Sequence, residues 1–157
     1  MILIIVGTLL IIAAAAIVAW YFFFFRRSCN PPLPRERFTV GSVTFDVEIA
    51  STMAEQACGL SGRTGLAQGE GMLFPFGRPG VQSFWMKDMS FPLDMIWIGG
   101  GKVVGFEQNA PAPAPGTSLW RLPIYTSPSS TDSVLEVPAG IVAKDNIKVG
   151  DSAQAAG

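Results

Sequence analysis

The chain has 157 residues, about half of them apolar, with eleven basic and twelve acidic side chains, two cysteines and no histidine. That length holds one modest domain, and the lack of histidine excludes Ser-His-Asp and Cys-His catalysis, an imidazole general base and histidine-based zinc sites. From Pro31 onward nine basic residues stand against twelve acids, about −3 overall with no run of Lys or Arg, so nucleic acid is not expected as a partner.

Met1 to Phe25 is apolar throughout apart from Gly7 and Thr8. A helix over this stretch spans about 37 Å, enough for a hydrocarbon core of ~30 Å with some tilt. Trp20 and Tyr21 suit a membrane interface, and Arg26-Arg27 end the segment. A cleaved signal peptide would need a basic start, a shorter apolar core and a small-residue cleavage site. Phe22 to Arg27 offers no such site, and no lipoprotein box precedes Cys29. Residues 1–27 therefore read as an uncleaved single-pass anchor, with the membrane as partner. Arg26 and Arg27, taken literally, put the domain in the cytoplasm. A start codon placed a few residues late would have removed a basic n-region, so the orientation stays open.

Residues 28–37, with Pro31, Pro32 and Pro34, read as a stiff extended linker. The domain proper is expected over residues 38–157. Phe38 to Val40 and Val43 to Ile49 form a predicted β-hairpin with a Gly41-Ser42 turn. Alternation in the second strand sends Thr44, Asp46 and Glu48 towards water. Thr52 as N-cap with Glu55 three residues on is a capping box that opens a short helix, and Gly59 is its stop. Cys58, beside Ala57 in that helix, reads as a small buried residue. A disulfide with Cys29 would need the linker to fold back onto the domain.

Met72 to Phe74 reads as a short strand ending at Pro75. Gln82 to Met86 and Leu93 to Ile98 read as two strands, with turn chemistry at Lys87, Asp88, Ser90 and Pro92. In a regular strand Trp85 and Met86 point to opposite faces. Gly99-Gly100-Gly101 is a hairpin turn into Lys102 to Glu107, and not a phosphate loop, because strands flank it. Residues 110–115 alternate Ala and Pro. Gly116 to Asp132 is a long loop of the kind that forms lids or binding elements. Ser133 to Val137 is a strand, Pro138 to Asn146 turns through a short helix, and Ile147 to Asp151 leads into a last strand. The expected fold is mainly β (α+β): a small barrel-like or sandwich antiparallel sheet with one or two short helices, preceded by one transmembrane helix.

Several blocks in order carry a resemblance: Glu55 with Gly59-Leu60 and Arg63, Gly71 to Phe74, Phe84-Trp85-Met86-Lys87, and Pro92-Leu93-Asp94. Leu135-Glu136, Ala139-Gly140 and Lys148-Val149-Gly150-Asp151 complete the series. Together they resemble the domain-of-unknown-function family numbered 192 over about residues 38–153. The resemblance implies a small, mainly β domain behind a signal or anchor, without an established reaction, and favours the extracytoplasmic side. Two positions depart from the family's pattern: Gln56, where a basic residue is common, and Pro138, where Asn is common. If they line a site, its polarity is altered here.

The matched polar and aromatic residues Glu55, Arg63, Trp85, Lys87, Asp94 and Glu136 are the candidate ligand-binding set, with Trp97 as a further candidate for an aromatic floor. If they converge, they make a cleft for a small polar ligand or a peptide segment. Each also has a structural reading. Glu55 caps a helix, Arg63 and Asp94 can pair to close a loop, and Trp85 can be core. Met72, Met86, Met89 and Met95 are soft donors, but without histidine or a thiolate they read as core packing, so neither metal nor cofactor is expected. A carboxylate hydrolase pairing Asp94 with Glu136 or Glu55 is a further alternative. So is an interaction or structural module of an envelope complex using the Gly116–Asp132 loop.

Overall fold

The computed structural model describes residues 13–18, 20, 29 and 31–156. Residues 13–18 and 20 are helical, and no helix among the described residues is long and apolar enough to cross a membrane. Most of the expected span over residues 1–27 lies outside the described residues.

The domain is built on one curled seven-stranded sheet. Its strands are β1 (Arg35–Val40), β2 (Val43–Ile49), β3 (Glu70–Gly80), β5 (Leu93–Gly99), β6 (Lys102–Ala110), β8 (Thr131–Pro138) and β9 (Ala153–Ala155). They lie in the order β6-β5-β8-β3-β2-β1-β9. The short β4 (Ser83–Phe84) and β7 (Tyr125–Thr126) pair separately. Two short helices, α1 (Met53–Cys58) and α2 (Ile141–Lys144), and a 3-10 turn at Leu119–Arg121 complete the fold.

The local signals act where they stand. Gly41 turns the β1–β2 hairpin with Val40 opposite Val43. The β5–β6 turn needs φ of 60° at Gly100 and 72° at Gly101, which glycine adopts without strain. Pairing is antiparallel except between β2 and β3, where Val47 lies beside Gly71 in parallel register. This corrects the expectation of a purely antiparallel sheet. The crossover through α1 returns the chain to the end from which β2 set out, so β3 must run the same way. The sheet curls until its edges meet: Lys102 bridges Ser152, Val103 N–H donates to Asp151 O at 2.9 Å, and Ala153 N–H donates to Gly101 O at 2.9 Å. The architecture is thus the barrel-like alternative and not a sandwich of two sheets.

The sheet is covered on both faces. Inside the curl, Phe38, Val40, Phe45, Val47, Leu73, Ile96, Ile98, Leu135 and Val137 pack with Ile141 and Val142 of α2. On the outer face, Met72, Phe74, Leu93, Met95, Trp97 and Val134 pack under Leu60, Met86 and Met89. All four methionines weighed as soft ligands lie in this outer cluster. Burial on both faces makes Leu93 to Ile98 a continuous buried run, with no alternation to read.

Several boundaries move. β1 begins at Arg35, within the stretch read as linker; β3 runs on past Pro75 to Gly80; β8 begins at Thr131. The strand expected over Gln82 to Met86 shrinks to Ser83–Phe84, because its only strand partner among the described residues is the two-residue β7. The linker does fold back. Ile49 N–H donates to Pro34 O at 2.9 Å, and Cys29 is joined by a disulfide to Cys58, their Cα atoms 5.4 Å apart. Cys58 is the half-buried last residue of α1, so the reading of it as a small core residue is corrected.

Candidate functional site

The site grows from a single position on β8. Alternation sends Leu135 and Val137 into the curl, and therefore Val134 and Glu136 onto the outer face. Register places Glu136 directly opposite Met72 of β3 and Met95 of β5. A carboxyl set between two thioether side chains and only 5% exposed has lost most of its hydration. Burial is the one cause acting on it, and it pushes the Glu136 carboxyl up to about 8.

Above Glu136 opens a cleft of about 250 Å³. It is lined by Gln56, Gly59, Leu60 and Ser61 from the end of α1, by Phe74 and Phe76 of β3, by Phe84 and Trp85, and by Lys87 and Met89. The capping box places this helix end: Thr52 Oγ1 accepts Glu55 N–H at 3.2 Å, and Glu55 Oε2 accepts Thr52 N–H at 2.8 Å. Gly59, with φ of 49°, ends the helix where its Cα hydrogens face Phe74; a Cβ there would lie 3.4 Å from the ring. The Gln56 amide nitrogen donates to Ala50 O at 3.1 Å and Pro75 O at 2.8 Å, fastening α1 to β3.

The rim is tied across the cleft. Ser61 Oγ donates to Lys87 O at 2.8 Å, Gly62 N–H donates to Asp88 O at 2.9 Å, and Ser90 Oγ donates to Arg63 O at 2.7 Å. Phe84 clamps β4 to the sheet by edge-on contacts with Phe74, Phe76 and Trp97, at centroid distances of 5.1, 6.3 and 5.7 Å. The Gly116–Asp132 loop is fastened to the same strand, with Phe84 opposite Tyr125 and Ser127 N–H donating to Gln82 O at 2.9 Å.

Of the six sequence-derived candidates, Trp85, Lys87 and Glu136 line the cleft. Trp85 is 47% exposed at its mouth while Met86 is buried, so the two do point to opposite sides. Trp97 is buried beneath Phe84 and does not line the cleft. Lys87 Nζ turns onto the carboxylate of Asp88 at 2.9 Å. Glu55, Arg63 and Asp94 lie elsewhere. Glu55 is occupied at the start of α1, where the backbone N–H of Thr52 above all holds its carboxyl below the usual range. Arg63 forms a fork with Glu48, at 2.9 and 2.6 Å, and this charge-assisted pair holds the Glu48 carboxyl down.

Asp94 is fully buried, and its oxygens accept Asn109 N–H at 2.8 Å, Gly140 N–H at 3.1 Å and Val142 N–H at 2.8 Å. It serves the first turn of α2. The anticipated pair between Arg63 and Asp94 is therefore corrected: each has its own partners on different parts of the sheet. The residues missed in the cleft are Ser61, Phe76 and Phe84, together with Gln56, whose departure from the family pattern was the available signal.

The model of the DUF192 family, described as "Uncharacterized ACR", matches residues 36–155. A crystal structure of a protein of unknown function from Novosphingobium aromaticivorans DSM 12444 is similar, with TM-score 0.70 and 34% identity, over 78% of this chain and 86% of that one. A second, from Sinorhizobium meliloti 1021 and provisionally called a transcription regulator, has TM-score 0.71 and 28% identity, over 80% of this chain and 97% of that one. No functionally curated protein matches the chain.

Proposed function

Because the chain belongs to the DUF192 family, whose description carries no activity, we propose its function from the cleft itself: a membrane-anchored module that binds a small ligand or one residue of a peptide. The observation that carries this reading is Glu136, a buried carboxyl that lines an open cleft and has no hydrogen-bonding partner among the described residues. The carboxyl's oxygens are open to the cleft, where a bound molecule can take the place of water as their partner. Aromatic walls with few polar groups are the usual make-up of small-ligand sites. Anchoring rests on the apolar run Met1 to Phe25, and the Cys29–Cys58 disulfide favours an oxidising, extracytoplasmic side. The regulator label of the Sinorhizobium protein is not carried over, since the domain is mildly acidic.

Native mass spectrometry of the full chain, purified from its own host in mild detergent, tests the reading. A defined adduct that disappears in Ser61→Trp, which fills the cleft, is the expected result. A bare mass for wild type, with no change in cleft resonances on adding host metabolite extract, overturns it.

A second reading has its own observation. Leu119, Trp120 and Ile124 are exposed in the Gly116–Asp132 loop, Trp120 to 86%, as a partner-docking element would require. Crosslinking in intact cells that gives the same partners with wild type and Trp120→Ala would remove it.

A further inference from the structure

Resting on the cleft reading, we infer that the ligand presents an organic ammonium group, which enters between Phe84 and Trp85 and pairs with Glu136. The chemistry follows from what the cleft offers. Among its lining residues only Glu136 and Lys87 are acidic or basic, and Cys58 is held in the disulfide. Lys87 Nζ is engaged by Asp88 at 2.9 Å, so its charge is already met at the rim. The carboxyl of Glu136 is then the ionisable lining group that no charged side chain among the described residues meets, and Met72, Met95 and Phe74 around it bring no charge.

Above it the rings of Phe76, Phe84 and Trp85 line the way in. Aromatic faces attract cations, most strongly where water is displaced. A buried carboxylate supplies the counter-charge that offsets the desolvation of an ammonium. The cleft volume of about 250 Å³ is small for a whole metabolite and suits one head group or one side chain. The shared chemistry is an ammonium with an apolar stem, carried either by a free amine or by a lysine side chain of a peptide.

Binding has a proton signature. Free, the buried carboxyl holds its proton near neutrality. An ammonium stabilises the ionised form, so the proton passes to solvent as the complex forms. Ammonium affinity therefore rises with pH from about 6 towards about 8.5.

The test is amide NMR of the full chain in maltoside micelles, with n-butylammonium, choline and Nα-acetyl-lysine amide as probes. Their neutral counterparts are n-pentanol, 3,3-dimethylbutanol and Nα-acetyl-norleucine amide. The expected result is that at least one ammonium probe shifts Gly59, Ser61, Phe84 and Trp85 and binds at least tenfold tighter than its counterpart. That preference should grow with pH and vanish in Glu136→Gln. Which probe binds separates a free amine from a lysine side chain. Should the neutral counterparts bind equally well, or affinity fall as pH rises, the ammonium inference is overturned and the cleft reading stands. If no probe and no host metabolite shifts these residues at any pH, both fall. The pH series on wild type decides the matter even if Glu136→Gln folds poorly.

Discussion

Asp94 and Glu136 stand one register step apart on adjacent strands and point to opposite faces of the sheet. Asp94 pairs with Val137, and Met95 pairs with Glu136, so the sheet itself separates the two carboxyls. A general acid and base must reach the same bond from positions open to substrate, and these two cannot. The separation also gives them different tasks. Asp94 holds α2 against the inside of the curl, while Glu136 faces the cleft.

Asp94→Ala should therefore be a folding defect. It strips three backbone N–H groups, that of Val142 buried and the other two partly so, of their charged acceptor, an expected cost of about 3–5 kcal/mol. Urea unfolding followed by tryptophan fluorescence measures it. A loss below about 1 kcal/mol would show that other groups or water satisfy α2.

The two tryptophans near Phe84 should separate cleanly. Trp97 is buried, and Trp97→Ala should cost about 3–5 kcal/mol. Trp85 is 47% exposed, and Trp85→Ala should cost less than about 1.5 kcal/mol while changing ligand binding. The same unfolding experiment on both variants checks the order. Equal costs would mean that Trp85 is part of the core.

Stability should fall with rising pH through the titration of Glu136. Its folded value of about 8 lies above the ordinary 4.5. Between these values the folded state keeps a proton that the unfolded chain has released, so each step up in pH favours unfolding. Glu136→Gln should flatten this slope and raise the urea midpoint at about pH 8.5, with little effect near pH 5. An unchanged slope in the variant would place the titration elsewhere.

The opposite sign applies to Glu48. Arg63 holds its folded pKa below the ordinary value, so the pair adds stability above about pH 4.5 that is lost as pH falls through the lowered folded value. Arg63→Ala should cost about 1–2 kcal/mol at neutral pH, for a partly buried, bidentate pair. Acid titration of both proteins, followed by circular dichroism, should show the two curves converging at low pH.

Breaking the disulfide should destabilise the domain by about 3 kcal/mol, because Cys29 and Cys58 are 29 positions apart and the bond closes a loop of that size in the unfolded chain. Unfolding of Cys58→Ser against wild type, each with and without reductant, measures this. A reductant effect that persists in Cys58→Ser would point to some other target.

Where the physics is local, the residues announce the structure. The Gly41 turn, the Thr52–Glu55 capping box, the Gly59 stop, the glycine turn at Gly100 and the short helix after Gly140 each follow from a few neighbouring side chains. The opposed directions of Trp85 and Met86 follow in the same way. Partnership across the chain is different. Arg63 meets Glu48 and not Asp94, and Cys29 reaches Cys58, because strand order and the parallel β2–β3 crossover bring those segments together. The cleft depends most of all on that order. In strands buried on both faces, such as β5 and β8, the two-residue pleat shows which residues share a face, but the run of apolar side chains does not show which face lies inside the curl. Only the closing of the sheet and the laying of α1 and β4 on its outer side place Glu136 in the lining of the cleft and make Asp94 a support for α2.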